Sequence, residues 1–204
     1  MAAIEVLAPV ENGAAEQIEF TEPYVARVLV EGAAPYLFHR WNNESVAEKA
    51  KAAKGSKAKK EDDIESYVYR LSDGTLAAPA EHFRMALVNA ARYRQDPRSP
   101  RKSAMDLFKA GIAPLEEMFS LGQQTWDYLD QRRVSVQRNG ITRSRPALMK
   151  GWRCEVELAV LTPEYISPQV LNEVFQMAGR LIGVGDFRPT YGRFQVIHFE
   201  TAES

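Results

Sequence analysis

The sequence has a single cysteine, Cys154, in 204 residues. One thiol can build neither a disulfide framework nor a thiolate metal cluster, so stability must come from the core, and a reducing compartment suits the chain. Histidine is scarce too: only His39, His82 and His198 are present. No run approaches the roughly 18 consecutive apolar residues that a membrane span needs. The stretch from Met1 to Glu22 carries Glu5, Glu11, Glu16, Glu19 and Glu22 with no basic residue, unlike a basic and apolar export leader. A cytoplasmic protein without membrane attachment is the expectation. Also missing are a Walker loop, a nucleophile elbow and any metal-ligand spacing, so neither cofactor nor metal is expected.

What is present is a hydrophobic content of 45%, enough at this length for one well-filled core and too little chain for two large domains. The net charge is -1, which argues against a histone-like binder, but the sum hides an uneven distribution. The N-terminal arm is acidic, whereas Arg84 to Lys102 and Arg132 to Arg153 are strongly basic with few acids. A polarised surface follows.

Tyr24 to Val30 (YVARVLV) is rich in β-branched and aromatic residues and closes at Glu31-Gly32, the pattern of a strand and a turn. Ala33 to Ala78 then reads as an insertion. It holds an aromatic cluster (Tyr36, Phe38, Trp41), a low-complexity run with six lysines between Lys49 and Lys60, and IESYVYRL before Ser72-Asp73-Gly74, which predicts a hairpin arm. The lysine run, about residues 45–63, cannot pack a core and is expected to be a mobile loop. Pro79 followed by Ala80 to Tyr93 predicts a helix with Phe83, Leu87, Ala90 and Ala91 on one face. Arg132 to Arg138 (RRVSVQR) alternates as a half-buried strand does, with Asn139-Gly140 as a turn signal. Trp152 to Leu161 alternates again, with Cys154, Val156, Leu158 and Val160 on one face. Ser167-Pro168 opens a helix to Leu181, and Phe194 to Phe199 closes the chain as a strand. The order strand, helix, strand, strand, helix, strand predicts an α+β, ferredoxin-like (RRM-like, βαββαβ) domain over residues 23–200. It is flanked by the acidic arm, 1–22, and a tail, 201–204.

The sharpest local signal is AGRLIGVGDFRPTYGRF, Ala178 to Phe194, with four glycines between the second helix and the last strand. A dinucleotide loop follows a strand and opens a helix; this one does the reverse, so it is not a dinucleotide site. Arg188, Tyr191 and Arg193 in it have the chemistry to meet phosphates or stack on a base; the alternative is a Gly-rich connection that only packs on the sheet. A ferredoxin-like domain with a Gly-rich loop at this place resembles the RAMP superfamily of CRISPR proteins, and most of all its backbone subunits, which carry a large insertion after the first strand. The likeness spans about Tyr24 to Glu200. It implies a subunit that polymerises head to tail along a guide RNA beside other effector-complex subunits. The chain is shorter than most such subunits and nearly neutral, which leaves room for a phage-encoded or stand-alone relative in antiviral defence.

Within RRVSVQRNGITRSRPALMKGWR, Arg132, Arg138, Arg143, Arg145 and Lys150 surround Trp152, combining charge for phosphates with a stacking surface for bases. A solvated hairpin with ordinary surface arginines is the alternative. Lys57, Lys59 and Lys60 can attract a polyanion without specificity, and Arg92, Arg94, Arg98, Arg101 and Lys102 extend the basic theme. Single-stranded RNA, or single-stranded DNA, is thus the expected partner, bound by a self-associating scaffold. The resemblance also implies two catalytic alternatives. Some relatives cut RNA with a histidine, for which His39, beside Arg40 and Trp41, is the best candidate; others use an aspartate of the insertion, where Asp62 or Asp63 would stand. A third possibility is a protein-interaction module, viral in origin, on the same fold.

Overall fold

The computed structural model describes residues 5–7, 21–41, 63–136 and 139–203. Among the described residues the chain is α+β, with antiparallel sheets and three helices. Its strands are β1 (Glu5–Leu7), β2 (Tyr24–Gly32), β3 (Tyr36–Leu37), β4 (Tyr69–Arg70), β5 (Leu76–Pro79), β6 (Gln95–Asp96), β7 (Ser99–Ser103), β8 (Ile112–Pro114), β9 (Met118–Ser120), β10 (Tyr128–Val136), β11 (Asn139–Leu148), β12 (Arg153–Val160) and β13 (Phe194–Glu203). The helices are α1 (Ala80–Ala90), α2 (Met105–Gly111) and α3 (Pro168–Leu181). No helix among the described residues is long and apolar enough to cross a membrane.

The main sheet has the order β1-β13-β2-β12-β8, antiparallel throughout. Alternation places Tyr24, Ala26, Val28 and Val30 of β2 and Cys154, Val156, Leu158 and Val160 of β12 on its buried face. Helices cover that face. In α1, Phe83, Ala86, Leu87 and Ala90 are buried, and in α3, Leu171, Val174, Phe175 and Ala178, the i, i+3, i+4, i+7 stripe of an amphipathic helix. Ser167 caps α3, its hydroxyl accepting from the Val170 amide at 3.4 Å, and Pro168 occupies the first turn, where no amide partner is needed.

The second strand of the main sheet is not the one the sequence suggests. Arg132 to Val136 belongs to β10, which pairs with β11 in a separate sheet of order β10-β11-β3. The edge place beside β12 goes instead to β8, a three-residue strand that follows α2 directly. Asn139 pairs with Val136 and Gly140 with Ser135, so Asn139-Gly140 belongs to strand β11. The predicted hairpin arm of the insertion is the short β4–β5 pair, joined through Asp73-Gly74.

The face of the main sheet away from the helices carries Arg27, Leu29 and Glu31 of β2, Arg153, Glu155 and Glu157 of β12, and Gln195, His198 and Glu200 of β13. Arg27 pairs with Glu157 at 2.8 Å and Arg153 with Glu31 at 2.9 Å. Apart from the His198 imidazole, no aromatic ring stands in these strands on this face for a base to stack on.

Trp152 fixes the junction between this sheet and the smaller one. Its indole is 5% exposed, lies edge-on to Tyr36 with ring centroids 5.5 Å apart, and donates to the Ala34 carbonyl at 2.8 Å. The ring occupies the space that a side chain at position 32 would need, for a Cβ on Gly32 would sit 2.1 Å from the indole nitrogen. Gly32→Ala is therefore expected to destabilise the fold by about 1–3 kcal/mol through overpacking. The check is a lower urea midpoint with an unchanged slope, and a smaller penalty for the same substitution in a Trp152→Leu background.

Candidate nucleic-acid interface

The Gly-rich segment after α3 is clamped backbone to backbone onto residues 33–37. Asp186 N donates to the Leu37 carbonyl at 3.0 Å, Gly192 N to Pro35 at 2.8 Å, and Ala33 N to the Arg193 carbonyl at 2.8 Å. The loop also closes on itself, Val184 N donating to Gly192 O at 3.0 Å. That closure leaves no room beyond hydrogen at position 192, where φ is +68° and a Cβ would fall 1.6 Å from the Val184 carbonyl oxygen. The glycines thus hold a fixed loop against the sheet, while the loop's own side chains face the hairpin β10–β11.

Strand alternation puts Asp130 and Arg132 of β10 on one face of the hairpin, opposite Arg145 and Arg143 of β11. Two arginines directly opposite each other would repel. Carboxylates relieve this. Asp130 receives Arg132 at 2.6 and 2.5 Å, and Asp186 of the loop receives Arg145 at 3.0 Å.

Aromatic rings complete the join. The Arg132 guanidinium lies 4.8 Å from the Phe187 ring centroid and 4.5 Å from that of Tyr191, and donates to the Tyr191 hydroxyl at 2.5 Å. Asp130 and Tyr191 push the Arg132 pKa further up, so this cation is permanent. Arg145, 3% exposed, lies 4.7 Å over the Tyr67 ring and donates to the Ser144 carbonyl at 2.9 Å. Such cation–π contacts contribute about 0.5–2 kcal/mol each, most where water is excluded.

Around this join stand cations of a different kind. Arg188 and Arg193 of the loop are exposed and Arg143 half-buried; among the described residues none has a carboxylate within ion-pair distance. Arg193 donates only to the Pro189 carbonyl, at 2.8 Å. Lys150 is exposed just after β11.

Two histidines border the region. His39 Nδ1 lies 3.6 Å from the Asp186 carboxylate and its ring faces Tyr67 at 5.9 Å; burial holds its pKa below the ordinary value, with Arg145 adding to the effect and Asp186 opposing it. His82, in the first turn of α1, is pushed down to about 4 by burial, with Arg188 adding to it.

Of the residues singled out by sequence, Arg132, Arg143, Arg145, Arg188, Tyr191, Arg193 and His39 are gathered by the loop and the root of the hairpin. Trp152 is not among them: expected as a stacking surface, it is a core residue, because the gap left by Gly32 draws its ring inward. Arg138, Lys57, Lys59, Lys60 and Asp62 lie outside the described residues. Asp63 is exposed at the start of a single 3-10 turn, Ile64–Tyr67. Sequence reasoning missed Asp130, Asp186, Phe187 and Tyr67; the one signal for them was Asp130 two residues before Arg132, on the same strand face.

Removing the acid from the buried pair is expected to be costly, since Arg145 would stay buried without a counter-charge. Asp186→Ala should lower stability by about 2–3 kcal/mol, and by less than half of that in an Arg145→Met background, measured as a double-mutant cycle in urea.

No known protein family matches the sequence, and no curated protein does either. The fold does have solved counterparts. One is a chain in the cryo-EM structure of the Type III-B Cmr-beta bound to cognate target RNA, which superposes with a TM-score of 0.54 at 8% sequence identity. The match covers 89% of this chain and 61% of that one, so this chain spans less than two thirds of its counterpart's length. At that identity the two share a fold.

Proposed function

We propose that this protein binds single-stranded nucleic acid, RNA in the first place, along the Gly-rich loop and the root of the β10–β11 hairpin. The observation that carries the proposal is the interleaving of arginines with aromatic rings there. Arg132 and Arg145 are consumed in joining loop to hairpin, and around them Arg143, Arg188 and Arg193 have no carboxylate within ion-pair distance among the described residues. Charge of this kind tracks a phosphate backbone, and planar guanidinium groups and Tyr191 offer π-faces that accept any base. Backbone contacts give affinity without sequence preference, as a scaffold needs.

The fold supports the same proposal. We read β2, β8, β12 and β13, in the antiparallel order β13-β2-β12-β8, as the strands of a ferredoxin-like βαββαβ unit with α1 and α3 as its helices; the strand order supports that reading. The counterpart, a chain in the structure of Type III-B Cmr-beta bound to cognate target RNA, has a related fold. A RAMP-like subunit associating head to tail along a strand, beside other effector subunits, is the form of scaffold we infer; contacts of that heterologous kind build open filaments.

The open face of the main sheet offers a strand less than the loop and hairpin do. With ion pairs and a single imidazole, His198, for a ring, it has little stacking surface and no net positive charge. Replacing Arg143, Arg188 and Arg193 together by Ala is expected to weaken binding of a single-stranded RNA and to flatten the dependence of log K on log salt by about 2, at roughly 0.7 for each phosphate no longer neutralised. Arg27→Ala with Arg153→Ala should change neither. In the same titrations the mass of the complex is expected to grow in protomer-sized steps as the strand lengthens; unchanged affinity in the triple variant would remove the proposal.

A second function is favoured by one contact. His39 beside Asp186 has the arrangement of a base oriented by a carboxylate, and a lowered pKa keeps its imidazole neutral near pH 7, able to accept a proton. If this pair cuts bound RNA, metal-free cleavage should rise with pH through the histidine's pKa and be abolished in His39→Ala while binding is kept. Intact RNA at every pH would leave a binder alone.

A further inference from the structure

The β6–β7 hairpin, α2 and the start of α3 enclose a cavity of about 160 Å³, away from the Gly-rich loop. Its floor is apolar, built from Leu107 and Phe108 of α2 and Val170 of α3; Tyr165 forms a wall and Arg94 part of the rim. Val170 stands near the N-terminus of α3 and the Gly-rich loop follows its C-terminus. A helix of 14 residues therefore separates the two places, on the order of 20 Å.

The walls specify what can enter. The Tyr165 ring is only partly covered, and the Arg98 guanidinium stands 5.5 Å from its centroid. Arg98 is held there by a two-pronged bond to Asp96, at 2.9 and 2.8 Å, which keeps the Asp96 carboxyl ionised with a pKa of about 2. Arg94 is paired with Glu173. The remaining cations, Arg92 of the turn after α1 and Arg101 and Lys102 of β7, are exposed and have no carboxylate within ion-pair distance among the described residues. An apolar slot with a tyrosine wall suits one planar ring, and Arg101 and Lys102, on the β7 strand of the hairpin that bounds the slot, suit an anion attached to that ring. An aliphatic side chain would use neither the π-face nor the guanidinium plane.

We propose that this cavity is a nucleotide site, with the heterocycle on Leu107, Phe108 and Val170 against Tyr165, and the phosphate toward Arg101 and Lys102 of β7. The ligand class rests on the nucleic-acid reading above for its biological sense but not for its chemistry. The nucleotide comes either from a bound strand or from the free pool.

The test titrates the full chain with adenosine 5′-monophosphate, uridine 5′-monophosphate and adenosine, followed by calorimetry and ligand-observed NMR. The monophosphates should bind saturably, adenosine more weakly by about tenfold, a difference of about 1.4 kcal/mol. Tyr165→Ala, a surface change that leaves the core alone, and Val170→Phe, which fills the cavity, should each weaken the monophosphates by about tenfold or more. Arg101→Glu with Lys102→Glu should erase the preference for monophosphate over nucleoside. The Arg143, Arg188 and Arg193 triple variant should bind adenosine 5′-monophosphate as the unaltered chain does, so the cavity can hold even if the strand interface fails. Displacement of the mononucleotide by single-stranded RNA would identify the strand as its source, and simultaneous binding the free pool. Absence of saturable binding, binding indifferent to Tyr165→Ala and Val170→Phe, or occupation by an acidic peptide of residues 1–22 in place of nucleotides would each overturn the proposal.

Discussion

The burial of Arg145 against Asp186 is the constraint around which the rest of the interface is arranged. A guanidinium withdrawn from water is tolerable only with a counter-charge and filled hydrogen bonds, and here both come from different parts of the chain: Asp186 from the loop after α3, Ser144 from the hairpin itself, and the Tyr67 ring from the insertion. Three segments distant in sequence are thereby held in one geometry. Replacing the pair with apolar residues of similar volume would hold the segments less selectively, because hydrophobic contact tolerates sliding and a directed ion pair does not. Arg132 repeats the device at the surface, with Asp130 on its own strand and two rings from the loop.

Those two joins explain how a chain with net charge -1 presents a basic strip. Acids are spent pairwise on particular cations at the interface and on the open sheet face, where Glu157 and Glu31 hold Arg27 and Arg153. What is left over is set by position rather than by composition. The field felt by a polyanion within about 10 Å of the surface, the range that moderate salt permits, is that of the arginines left without a carboxylate among the described residues.

How much of this was legible in the sequence differs by element. The strands β2, β12 and β13 and the helices α1 and α3 announce themselves, since each is long enough for its period of burial to show; the inward set of β12, Cys154 to Val160, is as alternation implies. Strand β8 is not legible. Its three residues, Ile112 to Pro114, are too few for any period, and proline at an edge carries no strand signal of its own. RRVSVQR, by contrast, has a clear strand period, but periodicity says nothing about which sheet a strand joins. At the interface the arginines and Tyr191 were visible by type and density. Asp186 and Tyr67 were not, because their role comes from pairing across distant segments, and the burial of Trp152 depends on the missing side chain of Gly32 more than 100 residues away.

Among the described residues β3 pairs with β11 only at Ala147 and Leu148, and beyond that root β10 and β11 pair with each other alone, as a two-stranded ribbon. A narrow ribbon coils more strongly about its own axis than a broad sheet does, and its torsional stiffness is lower. Load applied at its far end is therefore absorbed as twist along the ribbon before it reaches the root. The root is where β3, the Arg132 stack and the Arg145 pair brace it on three sides. Mechanically the hairpin is a spring with a clamped foot: a push at the far end can reorient the outer ribbon while the arginines at its base keep their spacing.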